Sequence, residues 1–246
     1  MSKNVKLSVG RGEKLSVKAG SGLTAKGRAK YNRATGSNLK APTKDTSNPR
    51  HKSFCARSRN WTGDRGKAAR KRWGLPLSHP AQIEFVASLK SQFPDYFVCK
   101  NVLEVGSLNI NGSIRPFFEQ CIYVGVDLGA GADVDVVARG EDLTYPDSSF
   151  DVVASCECFE HNPEWLKTFA NMVRMSSGLV FFSCATTGRA EHGTRRSNPH
   201  DAPFCGDYYR NLTEQDFRDN FDLSVFKVYE FLTNDNAHDL YFWGLK

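Results

Sequence analysis

No stretch of this 246-residue chain approaches the roughly 20 consecutive apolar residues that cross a bilayer. The N-terminus, MSKNVKLSVGRGEK, lacks the apolar centre of a secretory signal. The seven cysteines form no Cys-x-x-Cys pair, which argues against a zinc ribbon; odd in number and scattered, they suit no disulfide framework. Cys99, Cys121, Cys156 and Cys184 sit in apolar runs, where a thiol behaves as a small hydrophobe. Cys184, His192, His200 and Cys205 have no compact metal-ligand spacing, so no metal is expected. A reducing, cytoplasmic setting without membrane contact fits these absences.

Acidic residues are scarce in the first third. Residues 1–80 hold 20 Lys or Arg against three acids (Glu13, Asp45, Asp64), a balance of +17. Residues 81–246 hold 13 bases against 24 acids, a balance of −11. Only four aromatics (Tyr31, Phe54, Trp61, Trp73) fall in the first third, too few to offset chain entropy with a core of its own. The chain therefore divides into a basic, largely irregular arm at residues 1–78 and one folded domain at 79–246. Lys and Arg pair with phosphates, and interleaved Tyr31, Trp61 and Trp73 suit base stacking, so nucleic acid or another polyanion is the partner to consider for the arm. The plain alternative is a solvated tail.

In the folded domain, Ser78-His79-Pro80 suits a helix start, followed by a stripe of Ile83, Phe85, Val86, Leu89 and Phe93. Beyond Pro94, short apolar runs alternate with amphipathic segments. Strands are expected at 99–105, 121–128, 134–137, 150–156 and 179–184, with helices at 113–119 and 163–175. Buried strands alternating with helices make an α/β, doubly wound, mostly parallel sheet. Residues 226–232 and 240–245, split by Thr-Asn-Asp-Asn, read as a closing antiparallel hairpin.

Such sheets bind ligands beyond the carboxyl ends of their strands. The first strand ends Leu103-Glu104-Val105-Gly106-Ser107 and passes through Asn111-Gly112-Ser113; the second ends Val126-Asp127-Leu128. Gly106 and Gly112 permit close backbone approach, and an acid at Asp127 can accept hydrogen bonds from both hydroxyls of a ribose. Together these describe a nucleoside-containing cofactor.

With VLEVGS, YVGVDL and EDLTYPDSSFDVVASCECFEH in this order, residues 98–245 resemble the class I S-adenosylmethionine-dependent methyltransferases, the type 11 group especially. The resemblance implies a Rossmann-like seven-stranded sheet and S-adenosylmethionine as cofactor. It implies that Glu104, Gly106 and Ser107 line the methionine moiety, and that Asp127 and Leu128 hold the ribose. Glu141, Asp142 and Leu143 would flank the adenine, and Cys156 with Glu157 would close the pocket under the sulfonium. Leu108 and Ile110 stand where the family usually has further glycines, and Asn111-Gly112-Ser113 is the substitute turn. The arm has its own resemblance: GLTAKGRAKYNRATGSNLKAP, RHKSFCARS and the run ending Arg72-Trp73 look like a short basic domain found in tailed-bacteriophage proteins. That implies a viral source, hence a host-cytoplasmic or virion-associated protein.

Methyl transfer is an in-line displacement in which positioning does much of the work. Glu157, His161 and Tyr208 are the candidate catalytic residues, with His161 as a structural cap the plainer reading. The polar segment 185–212 is the candidate substrate loop, bringing His192, Arg195, Arg196, Tyr208 and Tyr209. No Asp/Asn/Ser-Pro-Pro-aromatic sequence and no Pro-Cys dipeptide occurs, which disfavours the familiar routes to DNA base methylation. A small molecule, or a glycan- or nucleotide-derived acceptor, is the expected substrate. A methyltransferase-like scaffold for phage nucleic-acid or virion binding, and an RNA or protein methyltransferase gripping substrate with its arm, are the alternatives.

Overall fold

The computed structural model describes residues 5–44, 48–58, 64–73, 80–110, 112–197 and 199–246. The chain divides into two compact units, Met1–Leu77 and Ser78–Lys246.

The N-terminal unit is more ordered than its composition suggests. Its described residues include three helices: α1 (Ala25–Thr35), α2 (Pro49–Ser58) and α3 (Asp64–Arg72). Thr24 caps α1 through the Gly27 N–H, and left-handed Gly36 ends it. With little apolar surface to bury, the unit is held by cations placed on carbonyls and one buried acid. Arg72 donates to the carbonyls of Ser21 and Leu23, and Arg70 to that of Ser58. Glu13, buried, accepts from Lys30 Nζ at 2.6 Å, from Arg11 Nε at 2.9 Å and from the Ser8 N–H at 3.1 Å. These partners, Lys30 foremost, hold its carboxyl down at about 2. Phe54 stacks on Trp73 at 4.4 Å with Arg50 over the same ring. Trp61 lies outside the described residues.

The second unit starts with α4 (Pro80–Gln92), which buries Phe85, Val86 and Leu89. Ser78 and His79, read as its cap, lie outside the described residues. The strands are β1 (Asn101–Val105), β2 (Ile122–Asp127), β3 (Val136–Val137), β4 (Phe150–Cys156), β5 (Ser176–Ala185), β6 (Val228–Asn234) and β7 (Asp239–Leu245). They form one seven-stranded sheet in the order β3-β2-β1-β4-β5-β7-β6. β1 to β5 pair in parallel, and β7 pairs antiparallel with both β5 and β6. This is the α/β, Rossmann-like sheet with a closing hairpin that the pattern of runs predicts.

Period-two alternation divides the core between the two faces. On one face Leu103, Val153, Val180 and Phe182 meet α5 (Trp165–Met175) and α6 (Glu214–Asn220); on the other Val102, Val152, Ala154, Leu179 and Phe181 meet α4. Phe182 lies 4.6 Å from Phe217 and 5.2 Å from Phe242, ring centre to ring centre. Both faces are covered, which is why the central strands read as unbroken apolar runs. α6, which the apolar pattern does not reveal, is nucleated by a capping box between Thr213 and Asp216.

One expected element is absent. The segment 113–119 is not an α-helix but a single 3-10 turn at Arg115–Phe117. Its apolar residues are drawn inward: Ile114 is buried, and Phe118 stacks on Phe97 at 4.7 Å. Arg115 donates to the Tyr123 carbonyl and to Asp135, pinning the turn before a second one forms. Among the described residues no helix is long and apolar enough to cross a membrane.

Candidate active site

The carboxyl ends of β1, β2 and β4 converge, and the residues just past them set the shape of the cleft. Gly106 takes φ 84°, and a Cβ there would lie 2.6 Å from the Cβ of Cys158. Its N–H and that of Ser107 both donate to the Val126 carbonyl, turning the chain sharply off β1. Ser107 Oγ is buried without a partner. Asp127, at the end of β2, accepts from the Leu108 N–H at 3.1 Å and the Gly129 N–H at 3.3 Å. These bonds leave lone pairs on both oxygens.

The loop after β1 is not the usual glycine turn. Leu108 packs on Gly131, Asn109 bonds Asp133 at 2.8 Å, and the Gly112 N–H donates to Asn109 Oδ1. Two loops are thereby laced together where further glycines were missed in the sequence. Asn111 lies outside the described residues. Glu104 is buried, and Tyr123 Oη donates to it at 2.7 Å. Burial, partly offset by that bond, pushes the Glu104 carboxyl up to about 7.

Other expected site residues are placed differently. Glu141 turns its carboxylate toward α5, where Thr168 Oγ1 donates to it at 2.9 Å; Leu143 is in the core beside α5, and Asp142 is exposed. Cys156 faces the α4 side of the sheet, where burial pushes its thiol up and Gln82 and Ser183 hydrogen-bond it. Of these four, Asp142 is exposed, Glu141 is half-buried, and Leu143 and Cys156 are buried. Leu128 follows Asp127 directly and is half-buried.

At the end of β4 the backbone is strained: Glu157 has φ 53°, in the left-handed region. Its N–H donates to the Ser183 carbonyl, and its carboxylate accepts from Ser183 Oγ at 3.0 Å. Arg189 lies 3.5 Å from Glu157 and 2.5 Å from Asp239, which also accepts from Tyr241 Oη. Burial, then Asp239, raise the Glu157 carboxyl to about 7 against the pull of Arg189. Arg189, Asp239 and Tyr241 carry no sequence signature; they meet only because β7 inserts beside β5.

The loop 186–212 lies over this end of the sheet. His161 is buried, with its ring 4.9 Å from that of His192 and 5.5 Å from that of Tyr209. Its Nδ1 has no partner, nor does Tyr209 Oη, nor either oxygen of the fully buried Glu160. Burial, then His192, hold the His161 imidazole down at about 4, so it is neutral at pH 7. Tyr208 is half-buried and hydrogen-bonds His161 through its backbone. Arg195 and Arg196 do not converge on this cluster: both are exposed, and Arg196 pairs with Glu191 at 3.0 Å. Phe204, 49% exposed, rests against the backbone of Gly129, beside Asp127. Glu160 and Phe204 are the residues missed in the sequence.

Residues 111–182 match a family described as a methyltransferase domain, and residues 17–78 match a domain of unknown function, DUF6321. No curated protein matches the sequence. Among solved structures, phosphoethanolamine N-methyltransferase 2 of Haemonchus contortus, in complex with S-adenosyl-L-methionine, is 15% identical, with a TM-score of 0.51 over 80% of this chain and 60% of that one. The 1,6-didemethyltoxoflavin-N1-methyltransferase of Burkholderia thailandensis, with S-adenosylhomocysteine bound, is 14% identical over 85% of this chain and 92% of that one, with a TM-score of 0.47. YcgJ of Bacillus subtilis is 13% identical over 66% and 98%, with a TM-score of 0.45. At these identities the first of the three shows the fold.

Proposed function

We propose that this chain, an S-adenosylmethionine-dependent methyltransferase, methylates a small polar acceptor enclosed beneath the 186–212 loop. The observation that carries this reading is the set of partnerless buried polar atoms under that loop: both Glu160 oxygens, His161 Nδ1 and Tyr209 Oη. Each buried polar group left unpaired costs about 1–3 kcal/mol, a cost that a bound polar guest would offset.

The residues past β1 and β2 fit the cofactor. Gly106 keeps the backbone bare where a Cβ would collide, Ser107 Oγ is a donor awaiting an acceptor, and Asp127 has lone pairs to spare for a ribose. When bound, S-adenosylmethionine supplies an electrophilic methyl on a sulfonium. What remains for the protein is to orient the acceptor, exclude water and take a proton. His161, neutral at pH 7, can accept that proton at Nδ1. Glu157 acts through Arg189 as a positioning residue, and Tyr208 through its backbone contact to His161. Leu128 and Asp142 are left to the adenosine side; Glu141, Leu143 and Cys156 support the walls by packing.

In calorimetric titration, Asp127→Ala is expected to weaken S-adenosylmethionine binding roughly 10- to 100-fold, the worth of charge-assisted bonds at about 1.5–3 kcal/mol each. With methyl-labelled cofactor and a cell extract, label should enter the small-molecule fraction. Unchanged affinity in the variant sinks the assignment of the ribose site, and label in RNA or protein overturns the acceptor class.

For the basic unit the +17 balance of residues 1–80 supports contact with a polyanion, nucleic acid foremost, and the phage-like wording of residues 20–74 supports a viral setting. Part of that charge is spent internally, since Arg11, Lys30, Arg70 and Arg72 hold carbonyls or Glu13. Binding to a nucleic-acid duplex should fall steeply with salt, with a log–log slope well below that expected if all 20 cations met phosphates. Salt-independent binding, or none, removes the polyanion.

A further inference from the structure

We propose that Glu160, His161 and His192 form a binding site for one divalent metal ion of borderline softness, Zn2+ or Fe2+. One ligand atom from each of the three lies within 4.8 Å of the others. A tetrahedral ion with bonds of about 2.0–2.1 Å holds its ligands roughly 3.4 Å apart, so the side chains need only close inward slightly. Two imidazoles with one carboxylate are the donor set of many catalytic zinc sites and of open non-haem iron sites. Mg2+ and Ca2+, which want oxygen all round, fit it poorly.

Three further observations point to an ion. The Glu160 side chain is fully buried with no partner in hydrogen-bond geometry on either oxygen, so its charged form is favoured only where a cation meets it. Each histidine has one edge on backbone. His192 Nδ1 lies 3.2 Å from the Ala190 carbonyl, and His161 meets the Tyr208 backbone while its Nδ1 has no partner. Such outer hydrogen bonds fix tautomer and ring plane in metal-binding histidines. Finally, the chain makes room for the approach. Gly193, directly after His192, has φ 71°, and a Cβ there would fall 2.7 Å from His161 Cε1. Only a bare backbone lets the loop press His192 onto His161.

Three protein ligands leave a fourth position open, toward Tyr209, whose buried hydroxyl is also unpaired and whose ring is 4.9 Å from His192. The ion-binding site stands on this geometry alone. Its use, polarising an acceptor hydroxyl so that it loses its proton more readily, rests on the methyl-transfer reading above and takes the place of His161 as proton acceptor there, since a ring nitrogen that holds the ion has no lone pair left for a proton.

The test uses the full chain, stripped with chelator and titrated with Co2+, then with Zn2+ in competition, alongside His192→Ala and Glu160→Gln. The expected result is one Co2+ per chain with visible d–d absorption and no thiolate charge-transfer band, displaced by Zn2+. Affinity should fall at least tenfold in each variant, since even outer-shell partners are worth roughly 10–100-fold. Zn2+ should raise the Tm of the parent and not of Glu160→Gln, a variant that relieves an unpaired buried acid and so keeps its fold. No Co2+ bound by the parent overturns the proposal. So does binding unchanged in both variants, or a strong thiolate band, which would assign the ion to cysteine donors elsewhere. S-Adenosylmethionine titration before and after chelation separates the two readings: cofactor binding that persists without any metal uptake sinks the metal site alone.

Discussion

Gly106→Ala is expected to destabilise the sheet unit by about 2–5 kcal/mol, combining roughly 1–2 kcal/mol for a left-handed non-glycine residue with 1–3 kcal/mol for overpacking. For a unit of this size that is a fall in Tm of about 4–20 °C. The cause is local and can be tested as such. The new Cβ would lie 2.6 Å from Cys158 Cβ and 2.9 Å from its sulfur. Cys158→Ala removes only the sulfur and should rescue little, whereas Cys158→Gly removes both clashing atoms and should restore the overpacking part. The left-handed cost would remain in either double variant. Thermal denaturation of the two single and two double variants gives the coupling directly. Equal Tm in Gly106→Ala and the parent means that the turn off β1 is free to move, and the cofactor cradle is then not preformed.

Glu104→Gln is expected to change the pH dependence of stability, with the opposite sign from an ordinary paired acid. Burial raises the Glu104 carboxyl from 4.5 to about 7, so the fold favours the protonated form. Its contribution is intact below about pH 4.5, is lost as pH rises from 4.5 to 7, and is flat above. Gln, neutral throughout, still accepts the bond from Tyr123 and removes that loss. At pH 8 the variant should be more stable than the parent by about 3 kcal/mol, on the scale of 1.36 kcal/mol per pKa unit, and at pH 4 about equal to it. Glu157, raised to about 7 in the same way, keeps a parallel slope in the variant, so the profile flattens only in part. Urea denaturation across pH 4–8 measures this, and superimposable profiles would place Glu104 in an environment wetter than the one described. Because the family resemblance implies that Glu104 lines the methionine moiety of the cofactor, the stabilised variant should also bind S-adenosylmethionine more weakly, a trade of stability for function.

The central strands β4 and β5 were legible because they are buried on both faces. Leu179 to Cys184 and Phe150 to Cys156 are apolar at nearly every position, which leaves few alternatives to a central parallel strand. The crossover at 113–119 was misread for the same reason in reverse. Ile114, Phe117 and Phe118 have helical spacing, yet they serve a 3-10 turn packed on Phe97. Asp127 and Gly106 could be found by their place at strand ends. Glu141 could not be judged that way, since the partner that claims it, Thr168, lies 27 residues on. The cluster of Glu160, His161 and His192 was beyond reach for a similar reason: two adjacent residues and a third on a distant loop have no spacing to recognise. Cys156 shows the cost of the period-two rule, for it faces α4 while its neighbour Glu157 leaves the strand on a left-handed turn.

The position of β7 has a consequence for how the chain is made. β7 sits between β5 and β6, although it is synthesised after both. While the ribosome is still adding residues 186–238, the inner edge of β5, one of the most apolar strands in the sheet, has nothing to pair with, and β6 has no strand on which to dock. The nascent chain therefore carries an open, sticky edge for some 50 residues of translation, the kind of intermediate that chaperones guard and that aggregates when they are short. Low expression temperature or extra chaperone capacity should accordingly raise the soluble yield more than any change to the finished surface.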